Sequence, residues 1–431
     1  MYQNIHHLLM VRRFLPFFIT QFLSAFNDNL FKFALVLFLK YQMTDLTMEE
    51  TAALTTLAAG LFILPFFLFS ATAGQLADKF EKSGLIQIIR FSEIPLMVLA
   101  AVGFWLESAS FLLMVLFLMG SKSAFFGPLK YSILPEQLKK DELIGANGLV
   151  EMGTFVSILL GTILGGTLIV GADGRWQVSA MAITLAVLGF AASRFIPRNV
   201  AKSPKLKVNI NIAGETFHIL KEAYQRRAVL ISILGISWFW LLGATFLAQF
   251  PNFSKDVIFG AESVATLFLF SLSLGIGIGS LLCNKVLKSR ISARLSPWAA
   301  LVIGVFAIDI YFSSQAAVTG EAGALLSLGE FLAYPQNWRV VLDLVMLALA
   351  GGFFIVPLYT ILQTRSPDKE CSRMIAANNV TNAFFMVISA LATVGLFRLG
   401  FSVLDIFLGL GVVTLAVGIL FYLKRGWEDV E

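Results

Sequence analysis

The chain has 431 residues, of which 58% are hydrophobic and 14% are charged, and its mean hydropathy is +0.82. Soluble proteins carry roughly half apolar and about a quarter charged residues, so this composition excludes an ordinary water-soluble fold. The net charge of +5 fits the basic bias of membrane connections described next, and it gives no reason to expect nucleic-acid binding.

Apolar runs of about 20 residues, long enough to cross the hydrocarbon core of a bilayer, recur along the chain. They are predicted to be helices, because lipid offers the backbone no hydrogen-bond partners and the runs lack the two-residue alternation of barrel strands. The first run is a full span and not a cleavable signal. The twelve predicted spans are residues 14–40, 52–77, 84–104, 109–128, 146–171, 177–196, 227–252, 262–283, 296–316, 341–363, 374–397 and 401–423.

Basic residues in the connections predict the orientation of these spans. One face holds 24 lysines and arginines, including Lys424 and Arg425, and the other face holds 5; the remaining three of the 32 lie inside spans. Both termini are therefore predicted to be cytoplasmic.

Span one is the richest in polar residues. It carries Asn27, Asp28 and Asn29 near mid-depth, with Lys32 one turn further along the same helical face. A charge at the bilayer centre costs roughly 2.5–3.5 kcal/mol on insertion scales, so each one requires a partner or a function. Two interpretations remain open: an Asp28–Lys32 salt bridge that fixes packing, or a cavity-facing Asp28 that binds a substrate group or carries a coupling charge.

The end of span two, residues 74–82, reads GQLADKFEK. Gly74 is predicted to let two helices approach closely, and Asp78 to meet a neighbouring helix N-terminus or a basic side chain. With Lys79, these residues resemble the loop motif of the major facilitator superfamily and are assigned a gating or structural role. A weaker copy, GSLLCNK, follows span eight at residues 279–285.

Span four contains an embedded lysine, Lys122, with no acidic neighbour in the sequence. It is a candidate partner of a phosphate or carboxylate, or the counter-charge of Asp28. Arg90 and Glu93, early in span three, are expected to pair near the membrane interface and not to touch a substrate.

Four further polar residues lie nearer the cytoplasmic ends of spans four and five. Lys130 and Tyr131 are candidates for substrate contact, and snorkelling of the lysine to the interface is the alternative. Asn147 and Glu151 lie one turn apart, and Glu151 is a candidate for a cytoplasmic gate.

The longest connection, residues 197–227, separates six spans from six. Within it, residues 214–224 place Phe217, Leu220 and Tyr224 at helical spacing, which predicts a short helix on the membrane surface. The expected division is an N-terminal half, 1–196, a basic linker, 197–227, and a C-terminal half, 228–431. This all-α polytopic plan, with two pseudo-symmetric six-helix halves, resembles the major facilitator superfamily, whose halves are parallel repeats.

One polar stretch, residues 127–166, has a degraded copy at residues 357–389, where PLKYSIL becomes PLYTIL and IGANG becomes IAANN. Lys130 and Glu151 have no counterpart in the copy, so function is expected there more than at the shared positions. The spacing of the repeats implies 24 additional residues in the second half. They are assigned to an external segment, 317–340, which is either a spacer or a lid.

Polar residues of the second half are fewer. Asp309 lies in the middle of span nine, and three asparagines follow one face of span eleven. Asn378 and Asn382, four residues apart, can hydrogen-bond across helices, a structural role as often as a binding one. The candidate substrate-binding set is Asn27, Asp28, Asn29, Lys32, Lys122, Lys130, Tyr131, Asn147, Glu151, Asn378, Asn379 and Asn382.

Three segments carry a more specific resemblance: QFLSAFNDN at 21–29, GPLKYSILPE at 127–136 and ANGLVE at 146–151. They resemble the signature segments of the bacterial lysophospholipid transporters. The resemblance implies movement of a lysophospholipid, such as lysophosphatidylethanolamine, across the inner membrane to the cytoplasmic leaflet for reacylation. It also implies alternating access, a headgroup held by Asp28 and the basic residues of spans one and four, a monomer, and a separate acyltransferase or acyl-acyl carrier protein synthetase as a partner.

Other functions remain open. A proton-coupled drug or metabolite exporter of the same fold would use Asp28 or Glu151, and a membrane scaffold for acyltransferases would transport nothing. Enzymatic chemistry is not indicated: the histidines lie outside the spans, and no GxxxxGK[ST] loop is present for ATP-driven pumping. The two cysteines, Cys283 and Cys371, are too few for a disulfide framework or metal cluster, and no cofactor is expected.

Overall fold

In a computed structural model of the protein, the described residues are 5–43, 47–321, 324–424 and 426–427. Arg425, one of the basic residues assigned to the cytoplasmic side, lies outside the described residues, as do Ala322 and Gly323 of the inserted segment.

Within these ranges, twelve helices are long and apolar enough to cross a bilayer, which confirms the predicted all-α class and number of spans. They are α1 Leu15–Tyr41, α2 Met48–Lys79, α3 Lys82–Trp105, α4 Ala109–Ser132, α5 Leu143–Ile169, α6 Gly174–Ser193, α7 Arg227–Asn252, α8 Glu262–Leu287, α9 Ser296–Gln315, α10 Asn337–Arg365, α11 Cys371–Arg398 and α12 Val403–Leu423.

Several helices extend past the apolar runs that predicted them, because a polar turn caps the end. α2 begins at Met48, four residues before the predicted span. The Thr47 hydroxyl accepts a hydrogen bond from the Glu50 backbone N–H at 3.2 Å, and the Glu50 carboxylate accepts one from the Thr47 backbone at 2.8 Å. This reciprocal cap satisfies backbone donors that the helix itself leaves unpaired.

The two halves meet where glycines allow close approach. α2 packs against α11, and α5 packs against α8. A Cβ atom on Gly74 would lie 2.7 Å from the Ala376 Cβ, and one on Gly148 would lie 2.5 Å from the Ser280 carbonyl oxygen. Any larger side chain at either position would therefore push the halves apart.

Because the chain crosses the bundle twelve times, its two ends and the α6–α7 connection lie on one face, here called the terminal face. A helix at Ile212–Gln225 confirms the predicted short helix of the linker. It packs against α2 and α11 with Ile219 and Ala223 buried, whereas Phe217 and Tyr224 are exposed. Its contact with a membrane surface stays a prediction.

The buried apolar side chains form two clusters that are distributed unequally. One cluster joins the terminal-face part of the first half to the second half, through residues such as Leu149 and Ile276. The other is confined to the first half, towards the opposite face, with Phe38 and Phe104 among its members. The halves therefore share a core at the terminal face, and the first half has a core of its own at the opposite face.

The inserted segment between α9 and α10 is attached to the second half. The Leu326 backbone N–H donates to the Phe259 carbonyl at 2.8 Å, and Phe331 is buried beside Phe268. A short helix, Leu328–Ala333, is capped by Ser327, whose backbone and hydroxyl hydrogen bonds lower the pKa of the Glu330 carboxyl. These contacts within one half favour the spacer over the lid.

Candidate functional site

Asp28 and Lys122 form an ion pair inside the first half, between α1 and α4. The Lys122 Nζ donates to Asp28 Oδ1 at 2.6 Å and to Ser24 Oγ at 3.2 Å. Ser123 Oγ donates to Asp28 Oδ2 at 2.6 Å. The Lys122 side chain is 2% exposed and that of Asp28 is 13% exposed. The structure thus makes Lys122 the counter-charge of Asp28, one of the two roles left open by the sequence.

Glu93 of α3 is a second carboxylate partner of Lys122. Its Oε2 accepts from Lys122 Nζ at 3.3 Å and also pairs with Arg90, and its Oε1 accepts from Asn27 Nδ2 at 2.7 Å. Arg90 and Glu93 are fully buried. The expectation that they pair near the interface is wrong in location, because Lys122 reaches them inside the first half. Asp28, Arg90, Glu93 and Lys122 are here called the charged cluster.

The sequence showed Arg90 and Glu93 three residues apart, which is pairing distance on a helix. It gave no sign that a lysine from α4 would join them, because that contact depends on how α1, α3 and α4 pack. The only available signal was energetic: an embedded lysine without a local acid requires an acid from another span.

Two other predicted residues of α1 lie outside the charged cluster. The Lys32 Nζ lies over the Phe62 ring, 4.7 Å from its centroid. The predicted alternative of an Asp28–Lys32 salt bridge is wrong, because both Asp28 oxygens are engaged by α4. Asn29 Nδ2 donates to the Ala25 carbonyl of its own helix at 2.7 Å. Contact of Lys32 and Asn29 with a substrate stays a prediction.

Two tyrosines at matching positions of the duplicated segment stack across the boundary between the halves. The Tyr131 and Tyr359 ring centroids are 3.9 Å apart, with 6° between the ring planes. The Tyr131 hydroxyl donates to Glu151 Oε1 at 2.5 Å, and Trp240 Nε1 donates to the Tyr359 hydroxyl at 3.2 Å. These four side chains, here called the tyrosine cluster, join α4 and α5 to α7 and α10.

Lys130 borders the tyrosine cluster within the first half. Its Nζ donates to Thr154 Oγ1 at 2.7 Å and lies 5.1 Å from the Tyr131 ring centroid. The ammonium group is directed at α5, contrary to the snorkelling alternative. Glu151 is fully buried, and its Oε2 accepts no hydrogen bond from the described residues.

An amide pair next to the tyrosine cluster also joins the halves. Asn147 Nδ2 donates to Gln363 Oε1 at 2.7 Å and to Thr360 Oγ1 at 3.0 Å, and Gln363 Nε2 donates to Asn147 Oδ1 at 3.0 Å. Ser372 Oγ donates to Ser132 Oγ at 2.9 Å. These contacts belong to the closure of the terminal face.

Asp78 caps the N-terminus of α11 from the other half. Its carboxylate accepts from the Ser372 backbone N–H at 3.0 Å, from the Arg373 backbone N–H at 3.3 Å and from Arg373 Nε at 3.1 Å. Both predicted partners, a helix N-terminus and a basic side chain, are thus observed. Gly74, one turn earlier, gives α11 the room to approach, and Lys79 lies over the Phe80 ring.

The asparagines of α11 are placed differently from one another. Asn382 Oδ1 accepts from Ser237 Oγ of α7 at 2.7 Å, a packing contact within the second half. A Cβ atom on Gly127 would lie 2.3 Å from Asn379 Nδ2, so Asn379 packs directly on α4. Asn378 is fully buried. None of the three belongs to the charged cluster, and their contact with a substrate stays a prediction.

The second half contains a small apolar cavity of about 20 Å³ between α7, α8, α9 and α10. Phe239, at its wall, contacts Phe155 of the first half with ring centroids 5.9 Å apart. The cavity is lined by Phe239, Leu242, Gly243, Phe246, Leu272, Ile276, Ile303, Leu347, Ala348 and Gly351.

Asp309 belongs to a separate cluster near the end of α9. Arg339 donates to both Asp309 oxygens, at 2.5 and 3.1 Å, and Ser313 Oγ donates to Asp343 Oδ2 at 2.6 Å. This cluster lies towards the face opposite the termini. A role for Asp309 in the central site is not supported by this position.

The halves are joined by hydrogen bonds at the terminal face. The hydrogen bonds identified between them among the described residues involve the terminal-face parts of α2, α4, α5, α10 and α11. Towards the opposite face, a Cβ atom on Gly60 of α2 or on Gly395 of α11 would meet no heavy atom within 4 Å.

The arrangement offers paired charges of both signs next to apolar surface. Lys122 can exchange Asp28 for a ligand that carries both charges, because Glu93 remains as a second carboxylate partner. Within the described part of the chain, no group of three or more histidine, cysteine, aspartate or glutamate side chains is arranged to hold a metal ion.

Comparison with known families and proteins gives consistent results. Residues 17–316 match the model of the Major Facilitator Superfamily. The chain is 27% identical to the lysophospholipid transporter LplT of Escherichia fergusonii over 414 residues, covering 93% of this chain and 90% of the relative. It is 28% identical to the LplT of Citrobacter koseri over 412 residues, covering 92% and 89%.

Solved structures show the same fold. The human organic anion transporter MFSD10 (TETRAN) superposes with a TM-score of 0.73 at 11% identity, covering 94% of this chain and 99% of that one. A bacterial homologue of the iron transporter ferroportin in an outward-facing state superposes with a TM-score of 0.69 at 13% identity, covering 95% and 99%. At these identities the likeness concerns the fold alone.

Proposed function

The chain belongs to the Major Facilitator Superfamily, and from this premise we propose that it moves lysophospholipids across the bacterial inner membrane. Two relatives named lysophospholipid transporter support this substrate class. Their alignments with this chain cover 90% and 89% of their own length. The single observation that carries the proposal is the Asp28–Lys122 pair, buried inside the first half.

The headgroup chemistry follows from that pair. A zwitterionic lysophospholipid presents an ammonium group and a phosphate. Asp28 would accept hydrogen bonds from the ammonium group, and Lys122 would donate to the phosphate, since charge-assisted bonds are the stronger ones. Ser123 and Glu93 keep their bonds to the two side chains during this exchange, which limits the cost of separating the pair.

The acyl chain requires an apolar path. The cavity of the second half has an entirely apolar lining and faces the first half through Phe239 and Phe155. We propose that the single tail extends towards this cavity while the headgroup stays in the first half. Burial of the tail contributes about 0.8 kcal/mol per methylene group, which favours lipids over small polar solutes.

The gate follows from the contacts between the halves. With the terminal face cytoplasmic, as the basic residues predict, the tyrosine cluster and the Asp78 cap close the cytoplasmic side. The state described is then outward-facing, and alternating access requires these contacts to break as the lipid moves to the cytoplasmic leaflet. The protein is proposed to act as a monomer and to deliver lysophospholipid to a separate cytoplasmic acyltransferase.

Uptake of labelled lysophosphatidylethanolamine by spheroplasts or proteoliposomes tests the proposal. Asp28→Ala is expected to lower uptake by about 10- to 100-fold, since a hydrogen bond to a charged group contributes roughly 1.5–3 kcal/mol. Lys122 keeps Glu93 as a partner in this variant, so folding should survive.

The matched control is Asp309→Ala, which removes another span carboxylate paired with a basic residue, and its uptake should stay near that of the wild type. Normal uptake by a well-expressed Asp28→Ala protein would contradict the role of Asp28. Absence of lysophospholipid movement in the wild type would contradict the function itself.

A further inference from the structure

Arg90 and Glu93 form a buried pair behind the proposed headgroup site. Both are fully buried, and neither is free to reach a ligand in the interior. A Cβ atom on Gly189 of α6 would lie 1.9 Å from Arg90 Nη2, so the guanidinium group fills the space that this glycine leaves. The pair is a fixed part of the first half.

The charged cluster is balanced. Asp28 and Glu93 contribute two negative charges, and Arg90 and Lys122 contribute two positive charges, all joined by direct ion pairs. Water is largely excluded, so these charges act on a nearby ligand with little screening. The apolar cavity of the second half adds no charge. A headgroup entering the site therefore meets a cluster with no net charge.

Glu93 also keeps the Lys122 ammonium group in position when Asp28 binds a ligand. Lys122 has two carboxylate partners, one partly exposed and one fully buried. When a ligand's ammonium group occupies Asp28, the ammonium of Lys122 still has Glu93 at 3.3 Å. Lys122 therefore stays in position to bind the phosphate, because one of its two carboxylate partners remains.

We infer that Glu93, held by Arg90 and Asn27, selects zwitterionic over net-anionic lysophospholipid headgroups. It does so as a positioning residue that offsets one positive charge beside Lys122, and the inference rests on the function proposed above. Without the Glu93 charge, Lys122 and Arg90 face Asp28 alone, and the cluster becomes net positive. A net-anionic headgroup is then favoured relative to a zwitterionic one.

The test is competition between labelled lysophosphatidylethanolamine, which is zwitterionic, and lysophosphatidylglycerol, which is anionic, during uptake into proteoliposomes. The quantity compared is the ratio of the two transport rates. Glu93→Gln is expected to shift this ratio roughly tenfold towards lysophosphatidylglycerol, equivalent to about 1.4 kcal/mol.

The matched variant is the double substitution Arg90→Met with Glu93→Gln, which removes one charge of each sign and keeps the Asp28–Lys122 pair. Its ratio is expected to return to that of the wild type. A purely structural role for the pair would lower both rates together and leave the ratio unchanged in Glu93→Gln, and that result would overturn the inference.

The outcomes separate the inference from the proposed function. If the wild type transports neither lipid, the proposed function fails. If it transports both, and the ratio does not respond to Glu93→Gln, only the inference fails. Should Glu93→Gln not fold, because it leaves Arg90 buried and uncompensated, Arg90→Met decides. It leaves Glu93 bonded to Lys122 and Asn27 and makes the cluster net negative, so a shift of the ratio away from lysophosphatidylglycerol supports the inference and an unchanged ratio overturns it.

Discussion

At the scale of residues, the first half contains buried charges, of which Lys122 and Glu93 each have more than one polar partner. Lys122 bonds to Asp28 and Glu93, and Glu93 bonds in turn to Asn27 and Arg90. Removing one partner of a buried ion pair typically costs about 3–5 kcal/mol, because the remaining charge is left uncompensated. The second carboxylate partner of Lys122 limits that cost when a ligand displaces Asp28.

The Tyr131 hydroxyl provides a residue-scale prediction. Tyr131→Phe keeps the ring that stacks on Tyr359 but removes the hydrogen bond to the buried Glu151. Glu151 then loses its bond at Oε1, and we expect a loss of about 1–3 kcal/mol in the free energy of unfolding. Denaturation of the purified protein in detergent measures it. Tyr311→Phe, in α9 and outside the tyrosine cluster, is the matched control, and equal loss in both variants would contradict the prediction.

At the scale of elements, the terminal face is closed by helix ends that cap one another across the halves. α2 ends with Asp78 directed at the first turn of α11, and Gly74 brings the two helices into contact. The carboxylate lies at the positive end of the helix dipole, an interaction worth typically 0.3–1 kcal/mol and up to about 2 when partly buried. An interaction of this strength can break and form again during each transport cycle.

Asp78→Asn tests this cap. The amide keeps the size of the side chain and removes its charge, so the closed terminal face should be weakened by about 1–2 kcal/mol. In a background with Cys283 and Cys371 replaced by alanine, Ser132→Cys reports the opening through its rate of thiol labelling. We expect Asp78→Asn to raise that rate several-fold.

Asp405→Asn is the matched control for this experiment. Asp405 also caps a helix, but it bonds to Ser402 of the same helix end and not to the other half. Labelling at residue 132 should be unaffected by this substitution. An equal rise in both variants, or no rise with Asp78→Asn, would contradict a gate role for the Asp78 cap.

At the scale of the whole molecule, the two halves share a fold but differ in chemistry. The first half contains the charged cluster, and the corresponding depth of the second half contains an apolar cavity. The shared elements of the duplicated segment, above all Tyr131 and Tyr359, meet each other at the boundary. Lys130 and Glu151, which occur only in the first copy, add polar groups to that half alone.

Energy coupling is a prediction at this scale. Both oxygens of Asp28 are engaged, by Lys122 and Ser123, and Glu151 is engaged by Tyr131 through Oε1. We expect lysophospholipid uptake to persist when an uncoupler collapses the proton gradient. Uptake of a known proton-coupled substrate by the same spheroplasts serves as the control. Loss of lysophospholipid uptake would instead indicate coupling through Asp28 or Glu151.

The sequence by itself determined the number and approximate positions of the spans, because a bilayer requires about 20 apolar residues per helix and forbids unpaired backbone. It also determined the duplication and the linker helix, and it indicated that Asp28 requires a partner or a function, since an embedded charge is costly wherever it stands. The capping turn at Thr47 placed the start of α2 four residues before the predicted span, because a polar turn continues a helix beyond its apolar run.

Only the tertiary structure decided which charges meet. Asp28 pairs with Lys122, 94 residues away in the chain, and not with Lys32 on its own helix. Glu93 joins Lys122 inside the bundle and not at the interface. Sequence spacing reports which side chains share a helical face, whereas an ion pair between helices depends on the rotation and depth of each helix. Those are set by packing contacts, such as that of Gly189 against Arg90, which no local pattern encodes.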